Sequence, residues 1–238
     1  MQTSKWGNPG WRFLHCLPLC CADNPSEEER RVLLEFVALL REMLPCKYCR
    51  ASYSDFIKAD PLAAHLDNPR FGGHCQLAVA HWLYELHNKV NKKLDKEKCI
   101  DFYGKCCKLD NNVMDWEQGF WDFVLAIVWN YKNEQWRRAA YERFFTLLPR
   151  VLQRCQLGKS LGSCLAANRL QPQHLASTEA LKQWAWTLWN TCHSDKSMSF
   201  PNFSAMDLRY ESWRSKTCST PALSDASEGK PKSGNQTC

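Results

Sequence analysis

HWLYELHNKVNKKLDK, residues 81–96, is the stretch whose reading decides the fold. It continues GGHCQLAVA (72–80), and nothing after Gly73 breaks a helix, so the sequence predicts one long helix over 72–94. Steps of three and four place His81, Tyr84, Asn88 and Asn91 on one side, with His87 and Val90 flanking. Leu77, Val79, Leu83, Leu86 and Leu94 supply apolar contacts around that stripe. Two readings are open. In one, the stripe is an exposed polar face, or a core face whose histidines are satisfied locally. In the other, its amide and imidazole groups hydrogen-bond a heteroaromatic ring, while Lys92, Lys93 and Lys96 neutralise a diphosphate.

Some forty residues upstream stands PCKYCR (45–50), a CxxC directly after a proline. A structural zinc site needs four ligands, usually as two close pairs. The nearest further candidates are His74 and Cys75, adjacent rather than spaced, and adjacent helical side chains diverge by about 100°. A thioredoxin-like motif would need a βαβ context, and no strand pattern surrounds this one. If a helix starts at about Cys46, its first turn brings Cys46 and Cys49 to one face, where the helix N-terminus favours a thiolate.

The totals narrow the class. With 238 residues, 45% hydrophobic and 24% charged, the chain is globular and long enough to bury a core without staples. Its 14 cysteines therefore ask for a chemical explanation. The net charge of +6 divides into 14 basic and 13 acidic residues over 1–104 and 17 and 12 over the remainder, too weak a bias to argue for nucleic acid. The longest apolar run, FVLAIVW (123–129), is far short of the roughly twenty residues of a membrane span. MQTSKWGNPGWRFLHC carries Trp, Pro, Arg and His where a signal peptide would be apolar, so a cytoplasmic protein is expected. Many cysteines in that compartment point to redox or metal work.

The remaining segments also read as helices. Ser26 and Glu29 form a capping box at the head of SEEERRVLLEFVALLREML (26–44), which Pro45 ends. A short helix is expected from about Cys46 toward Lys58, a first helix over 8–21 started by GNPG, and a short fifth near 97–104. KCCKLDNNVM (105–114) reads as a linker. Residues 115–214 hold eight of the eleven tryptophans, with helices expected at 115–131, 133–155 and 177–192. Residues 215–238, rich in Ser, Lys, Gly and Pro, read as a disordered tail.

Three motifs in order carry a resemblance. WGNPGWRFLH (6–15) fits W-G-x-x-x-W-x-x-L-H, LPCKYC supplies P-C-x-x-C, and residues 82–96 fit W-x-x-x-x-H-N-x-V-N-x-x-L-x-K. Over about residues 6–101 the chain resembles the Erv/ALR family of FAD-linked sulfhydryl oxidases, above all those of large DNA viruses. The resemblance implies an all-α fold: a four-helix bundle with a short fifth helix, binding FAD in its mouth, here followed by a second all-helical domain. It implies that Cys46 and Cys49 are the redox-active disulfide. It implies FAD contacts from Gly7, Trp11 and His15, and from Trp82, Tyr84, His87, Asn88, Val90 and Asn91, with Lys93 and Lys96 at the phosphates or ribose. Electrons would pass from substrate dithiols through the CxxC, entered at an exposed Cys46, and FAD to O₂, giving H₂O₂. Partners would be thiol-containing proteins or a thioredoxin-like relay, and a second copy in a homodimer. No metal, nucleic acid or membrane is implied, and the location would be the cytoplasm, or a host cytoplasm or virion. The alternative is a non-catalytic, cysteine-rich scaffold or zinc-binding module.

Departures are visible too. A second family disulfide is absent, its positions reading Tyr84 and Asp101. Leu44 stands for an aromatic residue and Asp95 for a glycine. Cys218 and Cys238, or Cys106 and Cys107, could form a shuttle pair. Cys16, Cys20, Cys21, Cys155, Cys164 and Cys192 are expected to be buried thiols. The tryptophans of 115–214 are expected in a core, with a Trp184/Trp186/Trp189 docking patch as the functional alternative.

Overall fold

A computed structural model describes residues 1–98, 113–155, 158–193 and 200–214. The described residues are all-helical, with no strand among them. The order is α1 (Thr3–Leu14), α2 (Glu27–Met43), α3 (Lys47–Ala59), α4 (Leu62–Leu66), α5 (Cys75–Lys93), α6 (Val113–Trp129), α7 (Gln135–Leu152), α8 (Lys159–Ala167), α9 (Thr178–Cys192) and α10 (Phe203–Glu211). Short 3-10 turns at Leu17–Cys20, Pro69–Phe71 and Pro172–Leu175 join them. The linker expected at 105–114 gives way to α6 at Val113. Its earlier part, with Cys106 and Cys107, lies outside the described residues, as do Cys99, Asp101, most of the expected fifth helix and the tail with Cys218 and Cys238.

α2 follows its sequence signals. Ser26 caps it, accepting the Glu29 N–H at 3.3 Å while the Glu29 carboxylate reaches back to the Ser26 N–H. Val32, Leu33, Phe36, Val37, Leu40 and Met43 form its buried stripe. α1 does not follow them. It begins at Thr3 and ends at Leu14, so GNPG lies inside the helix rather than starting it. Tertiary packing outweighs the local breakers here. α1 lies along α6, and a Cβ on Gly10 would sit 3.0 Å from the Phe123 ring. A Cβ on Gly119 would sit 3.0 Å from Arg12 Cβ and 3.2 Å from the Pro9 carbonyl oxygen. Only glycine at both positions lets the two helices approach this closely. Gly119→Val is expected to cost on the order of 2–3 kcal/mol, read as a lowered denaturation midpoint at unchanged m-value.

Aromatic rings carry the core across the division at 105–114. Phe13 of α1 meets Phe36 of α2 at 6.4 Å, Phe120 at 5.4 Å and Phe123 at 5.8 Å. Phe36 in turn stacks on Phe144 of α7 at 5.3 Å. Buried residues from both sides form one contiguous cluster. Each ring fully removed from water contributes roughly 1.5–3 kcal/mol. Arg143 of α7 with Glu35, and Arg154 just beyond α7 with Glu29, add partly exposed ion pairs to α2, which contribute little.

α6 is buried on nearly every face, from Phe120 to Trp129. Asp122 accepts the Tyr210 hydroxyl at 2.7 Å and pairs with Arg209 at 3.1 Å. Lys182 sits between Asp207 and Glu211, at 2.7 Å from each. Trp184 and Trp189 are buried and Trp186 half-buried, which places this trio in the core rather than in an exposed patch. Cys16, Cys20, Cys21 and Cys155 are buried as expected, but Cys164 and Cys192 are not thiols. They form a disulfide joining α8 to α9. Connectivity depends on which helices lie side by side, and cysteine spacing does not contain that.

Candidate active site

Pro45 ends α2 and Cys46 caps α3. The Cys46 sulfur turns inward and accepts the Cys49 N–H at 3.4 Å. That capping geometry explains a reversal of the expected exposure. Cys46 is buried, at 4%, whereas Cys49 is half-exposed. The Cys49 thiol also hydrogen-bonds Cys46. This bond, joined by the Cys49 and Tyr48 backbone N–H groups, outweighs burial and lowers the Cys46 pKa to about 6. The same bond holds the proton on Cys49, whose pKa is raised by it, by burial and by the Cys46 charge. The pair is therefore one thiolate and one thiol near neutral pH. The ultraviolet absorbance of thiolate in reduced protein, compared with Cys46→Ser, is expected to titrate with a midpoint near 6, well below the ~8.5 of a free cysteine, and a single midpoint above 8 would refute it.

α1 and α5 supply the surroundings. Thr3, Gly7, Trp11 and His15 recur every four residues and share one face of α1. Trp11 lies flat on His87 of α5, with ring centroids 3.9 Å apart and 10° between planes. His15 Nε2 and His87 Nδ1 share a hydrogen bond of 3.0 Å. Thr3 Oγ1 lies 3.9 Å from Cys49 Sγ and so links this face to the cysteine pair. Tyr84 and Asn88 are buried, Val90 and Asn91 half-buried, and Lys93 and Lys96 exposed. Lys93 donates to the Ser52 hydroxyl of α3.

Trp82 stands apart from this group. It is fully buried on another face of α5 and donates its indole N–H to the Asp60 carbonyl at 3.0 Å. His81 packs on His65 and Phe71, at ring distances of 5.6 and 5.3 Å, and keeps Tyr84 at 6.3 Å. Thr3 and Ser52 join the site unannounced. Thr3 was legible only by extending the four-residue step 7, 11, 15 backward, which requires the helix to begin before GNPG.

Burial lowers the pKa of His15, with the His87 charge second, to about 4. Burial and Lys96 lower His87 to about 4 as well. Both rings are neutral at pH 7, so one donates and the other accepts. Above about pH 6.5 neither folded nor unfolded chain protonates them. As pH falls from there toward 4, the unfolded chain takes up protons that the fold refuses, and stability is lost. The loss is on the order of 3 kcal/mol for the pair, after discounting His87 for its partial exposure. Thermal midpoints from pH 7 to 4.5 are expected to decline, and His15→Gln/His87→Gln to flatten that decline.

Asp95 explains the end of α5. Its φ of 54° is left-handed, and the Lys96 N–H closes on the Asn91 carbonyl at 2.9 Å while the Asp95 N–H reaches Lys92 at 3.3 Å. This is a Schellman closure with aspartate in the glycine position. Asp95→Gly is expected to stabilise by about 0.5–1 kcal/mol, measured by urea titration.

These residues could hold a planar, anionic cofactor. Trp11, His87 and Tyr84 offer ring surface, Asn88 and Asn91 amides, and Lys93 and Lys96 positive charge. A Cβ on Gly7 would meet only the Thr3 methyl at 3.5 Å, so the backbone there is open to close approach. Among the described residues no group of three or more His, Cys, Asp and Glu could hold a metal, and no helix is long and apolar enough to cross a membrane.

The helical scaffold thus presents an asymmetric CxxC beside an aromatic and imidazole face. Residues 8–114 match the Erv1 / Alr family. Among similar proteins, a probable FAD-linked sulfhydryl oxidase, R368, of Acanthamoeba polyphaga mimivirus is 32% identical over 91 residues, 38% of this chain and 59% of that protein. The FAD-linked sulfhydryl oxidase ERV1 of rice, Oryza sativa subsp. japonica, is 30% identical over 96 residues, covering 40% and 45%. An African swine fever virus FAD-linked sulfhydryl oxidase (isolate Tick/Malawi/Lil 20-1/1983) is 29% identical over 92 residues, covering 39% and 70%. The chain thus spans about half the length of the mimivirus and rice proteins. No solved structure matches.

Proposed function

We propose that this chain is an FAD-dependent sulfhydryl oxidase that forms disulfide bonds in substrate proteins. The observation that carries the reading is the contact of Thr3 with Cys49, which sets the CxxC against the α1 face where Trp11 and His15 meet His87. The match to the Erv1 / Alr family and the relatives' names support it. Gly7, Trp11 and His15, with Tyr84, His87, Asn88, Val90 and Asn91, would hold the FAD ring system, and Lys93 and Lys96 its phosphates. Trp82 would serve from beneath, seating α5 on Asp60. FAD, when bound, accepts the electron pair of the reduced cysteines and delivers it to O₂, giving H₂O₂.

The chain's own chemistry is thiol–disulfide exchange. A substrate thiolate attacks Cys49 of the Cys46–Cys49 disulfide, because Cys49 is the less buried residue of the two. The S–S bond breaks and Cys46 leaves as a thiolate, for which its pKa near 6 suits it. The second substrate thiolate attacks the substrate sulfur of the mixed disulfide, yielding the substrate disulfide and a Cys49 thiolate that takes a proton. The result is the dithiol pair described above. His15 and His87, neutral and hydrogen-bonded, keep positive charge away from the ring site at pH 7.

Substrates on this reading are protein dithiols, directly or through a thioredoxin-like relay. Pairing of two copies and a cytoplasmic or virion location belong to the same proposal, with residues 1–104 as the catalytic unit and the Trp-rich part as a support for α1. Purified protein is expected to be yellow, to consume O₂ with dithiothreitol and to release H₂O₂. Correctly folded protein that stays colourless when supplied with FAD would overturn the proposal.

A further inference from the structure

Four cysteines outside the CxxC meet where the turn after α1 touches α5 and α7. The 3-10 turn Leu17–Cys20 packs against both helices. Cys21, just past it, donates its thiol to the Leu17 carbonyl at 3.4 Å and borders the same cavity as Cys75, the first residue of α5. Cys20 donates its thiol to the Cys16 carbonyl at 3.6 Å, and Cys155, beyond the end of α7, helps to raise its pKa. All four are buried. Gln76 Nε2 donates to the Cys21 carbonyl at 3.1 Å, which pins the backbone of Cys21 beside the start of α5.

The Cys21/Cys75 pair is unequal in the same sense as the CxxC pair. The neighbouring Cys21 thiol first, and then the positive charge of the Arg30 guanidinium, lower the Cys75 pKa against the effect of burial. Its place in the first turn of a 19-residue helix acts in the same direction. Cys21 is correspondingly raised, by the neighbouring Cys75 first and by burial second. Access exists as well. Cys20, Cys21 and Cys75 line a cavity of about 430 Å³, shared with Arg30 and Arg154. A buried pair with one activated thiol, in contact across two separate elements and bordering a cavity, has the parts that exchange with a small disulfide requires.

We propose that Cys21 and Cys75 form a disulfide, a covalent tie between the end of the α1 turn and the start of α5. The oxidant is a small-molecule disulfide such as oxidised glutathione. The Cys75 thiolate attacks one of its sulfurs, that S–S bond breaks, and one glutathione leaves as thiolate. The Cys21 thiol, its proton released to solvent, attacks Cys75 sulfur and expels the second glutathione. Two protein thiols lose two electrons and two protons, and one glutathione disulfide becomes two thiols. The tie fixes the spacing between the helix bearing Trp11 and His15 and the helix bearing Tyr84, His87 and Asn88. It does not rest on the oxidase reading, because the oxidant is supplied from outside.

The test uses the full chain, treated with oxidised glutathione, alkylated, and digested without reduction for mass spectrometry. A Cys21–Cys75 linked peptide is expected, with a rise in Tm of about 5–10 °C that Cys75→Ser lacks. The same linkage is expected in Cys46→Ser/Cys49→Ser, so that failure of the oxidase reading leaves this result intact. Alkylated Cys21 and Cys75 in protein whose Cys46–Cys49 pair has been oxidised would overturn the proposal. So would glutathione retained on Cys75, or a cross-link joining Cys20 and Cys155 alone. Because the linkage is read in the native chain, a variant that fails to fold does not remove the test.

Discussion

Cys46→Ser is expected to lower dithiol oxidation by on the order of 10³-fold or more while leaving bound flavin in place, because the pair acts as one unit and neither sulfur works alone. The structure adds a sharper outcome. Cys49 is the half-exposed residue and Cys46 is buried beneath the head of α3. Cys46→Ser has no disulfide for a substrate to open, so trapping is read in the reverse direction: given the oxidised substrate, Cys49 attacks its disulfide, one substrate sulfur leaves as thiolate, and the mixed disulfide accumulates for mass spectrometry to detect. Cys49→Ser is expected to be equally inactive but to trap little substrate, since Cys46 is the more buried residue of the pair. Trapping on Cys46 in place of Cys49 would reverse the assigned order of attack, and near-wild-type turnover of either variant would remove the CxxC from the mechanism.

The second large effect concerns residues that touch no chemistry. Trp129→Ala is expected to cost about 3–5 kcal/mol and roughly 10 °C in Tm. Trp129 is fully buried, its indole donates to Asp207 Oδ1 at 2.8 Å, and its ring lies 5.2 Å from that of Tyr210 and 5.5 Å from Lys182 Nζ. Truncation leaves a cavity, and it takes a donor from a carboxylate that also holds Lys182. α6 carries the loss to α1, so release of flavin and the change in tryptophan fluorescence are expected to share one transition. Two separated transitions would show that the parts on either side of residues 105–114 unfold independently. Trp136→Ala is the control, since Trp136 is 54% exposed and its removal should change stability by no more than about 0.5 kcal/mol.

Where the sequence was legible, local chemistry and tertiary structure agree. Ser26, Glu29 and Pro45 bound α2 because a cap and a missing N–H act over a few residues, whatever lies beyond them. Cys75–Lys93 needed only an unbroken run with apolar residues at helical spacing. α1 was misread because Gly7, Pro9 and Gly10 have breaker propensities, and a propensity of about 1 kcal/mol yields to a whole helix face packing on α6. The helices at Lys159–Ala167 and Phe203–Glu211 were missed for a related reason: at nine residues each, they are too short to repeat a hydrophobic pattern and are held by their neighbours.

The candidate site divides along the same line. The sequence by itself determined an all-helical chain, a CxxC opening a helix after Pro45, and an imidazole and amide stripe on one long helix, because each follows from spacing within a single element. Only the tertiary structure decided that Trp82 turns to Asp60 and His81 to His65 and Phe71, that Thr3 joins the site, that Cys46 is more buried than Cys49, and that Cys164 bonds Cys192. It also brought Cys21 against Cys75, residues from two elements separated by α2, α3 and α4. Each of these depends on which faces of different helices meet. That is set by how the whole set of apolar surfaces closes around Phe13, Phe36, Phe120, Phe123 and Phe144, and no local pattern contains it.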